Sequence, residues 1–266
     1  MKFGIISDIH VGTENEHKGV VRKLSRHSLD LLEIVIETMN SEVQPSFVVN
    51  LGDAINDRSH DIDVSNYKDV LRRLSRLSCP VYHVIGNHEQ RGIEEGELLR
   101  LTRRDRLYYS FDCAEYHGVV LFSRDPERVE ITIDDEQSAW VEQDLSRTDK
   151  RTIVFVHHLL ADQDLAGNFW FDGNPKRFLI ENRTKIRRLI EKSGKVTAVF
   201  NGHAHWNKMN VHNGIPYFTI QSLVENFKND DVPSGCFAIG DVSENSIDVN
   251  IVGQDKELFH YDFVSK

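Results

Sequence analysis

The chain has 266 residues, 39% hydrophobic and 28% charged, the profile of a globular protein long enough to bury a sizeable core. Its formal net charge of −10 is spread along the chain and disfavours nucleic-acid partners, which need a basic footprint. Scattered Cys79, Cys113 and Cys236 give no disulfide framework or paired-cysteine zinc site, and no run reaches the ~18 apolar residues of a membrane span; the expectation is a cytoplasmic protein with no membrane partner.

Residues 2–7 are a continuous apolar run that predicts a strand buried on both faces. Residues 24–40 carry Leu31, Ile34, Val35 and Met39, with Thr38 on the same side, at helical spacing. Pro45 ends that connection, and residues 47–51 form a second buried strand. Tyr67, Val70, Leu71, Leu74 and Leu77 repeat at three and four and predict a second helix, which Pro80 stops before a third strand at 81–85. Strand, helix, strand, helix, strand at this spacing implies right-handed βαβ units and a parallel sheet.

The middle of the chain has a different texture. Residues 100–106 are a mostly basic run, read as a solvated turn or helix end. Residues 107–112 and 118–123 predict paired strands. Asp134 with Gln137 forms a capping box for a helix carrying Trp140, Val141 and Leu145, and residues 152–156 are a further buried strand. Residues 161–177, with Phe169, Trp170 and Phe171 but no periodicity, are expected to be a long ordered loop. A helix over 178–192 and a strand over 196–200 follow. Beyond residue 208 the texture is all-β, with a hairpin at Asn213-Gly214 and strands at 236–241, 246–252 and 258–263. No repeat or linker divides the chain. The expected fold is α/β, one domain over 1–266 with two packed mixed sheets and helices on the outer faces.

Five of these strands end in side chains suited to metals. The first ends in Asp8-Ile-His10, the second in Gly52-Asp53 with Asn56 and Asp57 following. The third ends in Gly86-Asn87-His88-Glu89, the fourth in His157-His158, the fifth in Gly202-His203-Ala-His205. Taken singly, each has a plainer reading: Asp8 or Asp53 as a helix cap, Asn87 as a turn residue, His88 as a satisfied loop histidine. In open α/β sheets the ligand crevice lies outside the carboxyl ends of the strands, and all five are expected on one side of one sheet. A shared metal site is the better joint reading. Carboxylate, imidazole and amide oxygen without thiolate suit manganese, iron or zinc.

The ordered set Asp-x-His, Gly-Asp, Gly-Asn-His-Glu, His and Gly-His-x-His resembles the calcineurin-like metallophosphoesterases, from Phe3 to His205. Within that superfamily the chain looks most like class III cyclic-nucleotide phosphodiesterases and manganese-dependent ADP-ribose/CDP-alcohol diphosphatases. The second likeness lies in residues 47–53, 80–89 and 108–112. The resemblance implies an αββα sandwich holding two metal ions. Asp8, His10, Asp53 and His205 would hold one ion and Asn87, His157 and His203 the other, with Asp53 bridging. Ions bridged so, about 3.5–4 Å apart, suit in-line displacement at phosphorus by water. His88 would donate a proton to the leaving oxygen or bind a phosphate oxygen. The family usually has Asp three residues after the bridging Asp; here that position is Asn56, which leaves Asp57 as the candidate to orient His88. His158 is left to packing or support.

The expected reaction is hydrolysis of a small nucleotide-type phosphodiester or diphosphate. A phosphomonoesterase or protein phosphatase on the same metal core is the alternative, and a non-catalytic scaffold of the same fold a third. Arg91 is a candidate phosphate contact. Phe169, Trp170 and Phe171 either stack on a nucleobase or fill a small core under the loop, the latter favoured for at least two of them. Nothing in the sequence identifies an oligomer interface.

Overall fold

A computed structural model of the chain describes residues 1–126 and 129–263. The apolar run at the N-terminus is strand β1 (Lys2–Ile6), followed by a small ribbon of β2 (Glu16–His17) and β3 (Val20–Val21). Helix α1 (Ser28–Thr38) leads to β4 (Val48–Asn50), and α2 (His60–Leu74) to β5 (Val81–His83). β1, β4 and β5 are parallel neighbours, as βαβ units require. Short helices α3 (Asn87–Gly92) and α4 (Glu95–Thr102) then precede a hairpin of β6 (Tyr109–Cys113) and β7 (Tyr116–Val120). Helix α5 (Asp135–Arg147), β8 (Arg151–Phe155), α6 (Arg183–Ser193) and β9 (Val196–Asn201) continue the α/β pattern.

The chain then turns through β10 (Lys208–His212) and β11 (Ile215–Thr219), where Asn213 and Gly214 take the left-handed backbone of a two-residue hairpin turn. Finally β12 (Phe237–Val242), β13 (Ser246–Val252) and β14 (Glu257–Asp262) return to the first sheet, β12 pairing antiparallel with β1. The two main sheets have the orders β14-β13-β12-β1-β4-β5 and β10-β11-β9-β8-β7-β6. Both are mixed.

Rings clamp the sheets together. Phe3 stacks on Phe47 with centroids 5.3 Å apart and meets Phe200 edge-on at 5.6 Å, joining the two inner faces. Each such ring contributes roughly 1.5–3 kcal/mol through burial. A second apolar layer lies under α1 and α2 and a third under α5 and α6, giving helices, sheet, sheet, helices.

Several local expectations need correction. In α1 the inward face is Leu32, Val35 and Ile36, continued by Met39, whereas Ile34 is 56% exposed. The helix has two apolar rows, and only packing chooses between them. The predicted helix over 178–192 begins at Arg183, because Leu159 pairs strand-like with Leu179 and removes the preceding residues from the helix. Asp134 caps α5 through Gln137 N, but the Gln137 side chain bonds both backbone groups of Phe122 instead of completing a box. Helices α3 and α4 were not anticipated. The five chemistry-bearing strand ends come from both sheets, three from one and two from the other, because an apolar buried strand reads the same in either sheet. Among the described residues no helix is long and apolar enough to cross a membrane.

Candidate metal centre

The strand ends meet because the backbone turns sharply at the chemical residues themselves. Asp8, His10, Asp53, His203 and His205 all have left-handed backbone, with φ between 50° and 67°. Such residues are uncommon outside glycine, cost energy and collect at functional sites. Hydrogen bonds hold them: Asp8 N to Gly52 O and His10 N to Asp53 O at 3.0 Å, and His203 N to Asp8 Oδ2 at 3.0 Å. Gly202 and Gly86 allow the approach, since a Cβ on either would strike the Asp8 or the Asp53 carboxylate.

The resulting side chains form interlocking clusters. Ligand-type atoms of Asp8, His10 and His205 lie within 4.8 Å of one another, as do those of Asp8, Asp53 and His157. His10 Nε2 is 3.1 Å from His205 Nε2, and Asp8 Oδ1 is 3.2 Å from the same atom. Across Asp53, His157 Nε2 lies 3.2 Å from each of Asp53 Oδ2, Asn87 Oδ1 and His203 Nδ1. Facing nitrogens and oxygens at these distances, in a buried site, can converge on a shared cation. Asp8 Oδ1 is buried and accepts no hydrogen bond, while Asp8 Oδ2 is taken by Ser7 and His203 N. An orphaned buried carboxylate oxygen fits a metal ligand. The residues present therefore fit a pair of ions with an N/O shell.

The outward ring atoms are fixed by partners. His157 Nδ1 donates to Leu51 O at 2.8 Å, His203 Nε2 to Arg177 O at 2.9 Å, and His205 Nδ1 to Glu225 Oε2 at 2.6 Å. Each bond leaves the other ring nitrogen as a lone pair aimed into the cluster, the tautomer a metal requires. Burial alone would raise both carboxyls, but His205 and His10 beside Asp8, and His157 and His88 beside Asp53, hold them well below the usual carboxylate range. Burial pushes His10 and His203 well below the usual imidazole range. For His157 burial acts the same way, but Asp53 outweighs it and raises the group to about 9. The centre thus sets two ionised carboxylates beside imidazoles of both kinds, His10 and His203 kept neutral by burial, and His157 and His205 drawn toward protonation, against burial, by Asp53 and Asp8.

His88 stands beside this floor. Its N–H donates to Asp53 Oδ1 at 2.9 Å, its Nδ1 meets the Asp57 carboxylate, and its Nε2 points to the cleft, 3.8 Å from Asp53 Oδ2. Asn56 instead turns away, donating to Ser25 Oγ at 2.8 Å and Thr13 O at 3.2 Å. His158 sits behind His203, bonded to Ser123 Oγ at 2.7 Å.

Around the floor opens a cleft of about 730 Å³, lined by His17, Lys23, Arg91, Asp125, Trp170 and Lys176 among others. Arg91 is paired with Asp125 at 2.9 Å. Trp170 is braced: its Nε1 donates to Glu225 Oε2 at 3.2 Å, and His17 stacks on it with centroids 5.5 Å apart. Phe171 packs with Phe178, Leu159, Leu165 and Ala204 in a small core, and Phe169 receives the Arg22 and Lys18 cations at 4.7 and 5.2 Å. The loop thus supplies both a satellite core and a cleft wall.

Sequence reasoning missed Lys23, Glu225 and the work of Glu89. The Glu89 carboxylate accepts the N–H groups of Gly86, Asp53 and Ala54 at 2.8, 2.9 and 2.6 Å, binding two ligand loops to each other. Burial and the Asp53 charge raise it to about 7. The signal for Glu225 was its place beyond the carboxyl end of β11, the parallel neighbour of β9.

A family model described as calcineurin-like phosphoesterase matches residues 1–207. A manganese-dependent ADP-ribose/CDP-alcohol diphosphatase from Oryza sativa is 25% identical over 96% of this chain and 91% of its own length. A protein named as a probable cyclic nucleotide phosphodiesterase from Fibrobacter succinogenes is 24% identical over 77% of this chain and 73% of its own. Among solved structures, a dimetal phosphatase from Danio rerio superposes with a TM-score of 0.81 over 99% of both chains at 19% identity, which shows the shared fold.

Proposed function

The chain belongs to the calcineurin-like phosphoesterase family, and on that premise we propose that it hydrolyses a small nucleotide-type phosphodiester or diphosphate. It is a metal-dependent phosphoric ester hydrolase. The observation that carries the proposal is the set of interlocking N/O clusters in which Asp53 lies with His10 and His88 on one side and with Asp8 and His157 on the other, with Asp57 behind His88. In this reading Asp8, His10, Asp53 and His205 hold one ion, and Asp53, Asn87, His157 and His203 the other. Manganese is favoured by the donor set and by the dependence named for the rice relative. When bound, the two ions supply Lewis-acid charge to the phosphoryl oxygens and lower the pKa of an attacking water.

The chain's own residues do the rest. Asp57 holds the His88 ring so that Nε2 faces the cleft and donates a proton to the departing oxygen. Glu89 fixes the Asp53 and Asn87 loops so that their oxygens need no rearrangement. The activities named for the relatives, a diphosphatase and a probable cyclic nucleotide phosphodiesterase, support a substrate with a phosphoanhydride or diester link over a monoester.

Bis(p-nitrophenyl) phosphate with manganese tests the proposal. The protein should turn it over, and His88→Ala should cut kcat by roughly 10²–10⁴-fold while bound metal stays constant. No turnover with any divalent metal would sink the proposal, and preference for p-nitrophenyl phosphate would replace the diester by a monoester.

A further inference from the structure

Lys23 reaches the centre from two residues past the end of the β2–β3 ribbon. Its backbone is pinned beside Glu225 by a bridge, and Leu24 N donates to Val224 O at 2.9 Å. Its Nζ then lies 3.0 Å from His88 Nε2 and 3.4 Å from His10 Nδ1, with the Trp170 ring centroid at 5.3 Å. Among the described residues no carboxylate oxygen lies within 4.0 Å of this ammonium, whereas Arg91 and Lys176, in the same cleft, each have one.

The nearby carboxylates are all engaged elsewhere. Asp8 and Asp53 belong to the metal clusters and Asp57 to His88. Glu225 is shared among Arg22 at 2.7 Å, His205 and Trp170. Nor do the two imidazole contacts survive the reaction. Once His10 ligates through Nε2, its Nδ1 carries the proton and offers no acceptor; His88 offers none while it donates through Nε2. The working site therefore holds an ammonium beside the proton donor with no acceptor from the protein.

We propose that Lys23 binds the phosphoryl group that departs with the leaving fragment, the second phosphorus of a diphosphate substrate. The inference rests on the hydrolase reading above. His88 protonates the leaving oxygen, and in a diphosphate that oxygen is bonded to the second phosphorus. A cation 3.0 Å from His88 Nε2 is placed for the non-bridging oxygens of that same group. A substrate with one phosphorus has no such group there, so Lys23 makes the site select diphosphates.

The test uses the manganese-loaded chain with Lys23→Met and Lys23→Arg, ADP-ribose and bis(p-nitrophenyl) phosphate as substrates, and inorganic pyrophosphate as inhibitor. Lys23→Met should lower the ratio of ADP-ribose to aryl-diester kcat/KM by about 10-fold or more, the loss of one charged hydrogen bond. The decrease should lie in KM, pyrophosphate inhibition should weaken in parallel, and Lys23→Arg should restore most of both. Equal losses on the two substrates, loss of bound metal, or no rescue by Lys23→Arg would overturn the assignment. Should Lys23→Met not fold, Lys23→Arg must keep the wild-type substrate ratio and pyrophosphate inhibition; a fall in either overturns it. A wild-type enzyme that cleaves the aryl diester but not ADP-ribose also overturns it and leaves the hydrolase reading standing. One that cleaves neither ends both.

Discussion

On the floor of the cleft, five ligand-type residues sit in left-handed backbone, cross-braced by N–H groups and by the Glu89 carboxylate. On the rim, Lys23, His17 and Trp170 hang from a short ribbon and a loop without repeating structure. The ribbon is anchored beside the floor by the Lys23–Glu225 backbone bridge, by Leu24 N to Val224 O at 2.9 Å and by Arg22 to Glu225 at 2.7 Å; Trp170 reaches the same Glu225 at 3.2 Å, and Lys18 Nζ to Phe169 O at 3.0 Å ties ribbon to loop. A floor set by left-handed backbone at the ligand-type residues fixes the chemistry within narrow limits, while a rim carried on a two-stranded ribbon and an irregular loop is free to set which phosphate ester enters.

The largest effect is expected from Asp53→Ala, which removes the carboxylate proposed to bridge the two ions. Activity should fall on the order of 10³-fold or more, and bound manganese should drop below two per chain on metal analysis. Two ions retained with full occupancy would show that the floor does not depend on its bridge. A smaller effect is expected where floor and rim touch. Glu225→Gln weakens the acceptor that fixes the His205 tautomer and anchors Trp170 and Arg22. Manganese affinity should fall about 10–100-fold, and excess manganese should restore most of the rate. A rate that stays low at saturating manganese would place Glu225 in the rim's work instead of the floor's.

The convergence on the floor was legible in the sequence because each ligand-type residue lies just past an apolar strand, in a motif of a few residues. The distribution of those strands over two sheets was not legible, since β1 and β8 are equally apolar and nothing local states a sheet partner. Asn56 and Asp57 show the limit of motif reading. The usual position holds an amide that bonds Ser25, and the carboxylate beside His88 lies one residue on. The rim was largely hidden. Lys23 and His88 are 65 residues apart and Arg22 and Glu225 203 apart, so neither pairing has a local signature. The face of α1 was misassigned for a related reason: its two apolar rows are equivalent until the sheet covers one of them.

The smallest effect expected lies away from both regions and separates their titration from that of the scaffold. The floor histidines are proposed as metal ligands, so a titrating pair remote from them tests the scaffold apart from the centre. His117 is such a site: its Nδ1 is 2.7 Å from Asp112 and its Nε2 2.8 Å from Asp144, on β7 and apart in sequence from the ligand-type residues. Burial opposes its protonation, but the hydrogen bonds to Asp144 and Asp112 outweigh burial and raise its pKa. A folded pKa above the unfolded one means stabilisation that is complete below about 6.5 and lost as pH rises through the folded value. His117→Gln should therefore lower the urea midpoint of the manganese-loaded protein at acid pH, and the gap to the wild type should close as pH rises. A gap that stays constant or widens with pH would mean that His117 acts by packing, and that the floor governs the titration even with its metal bound.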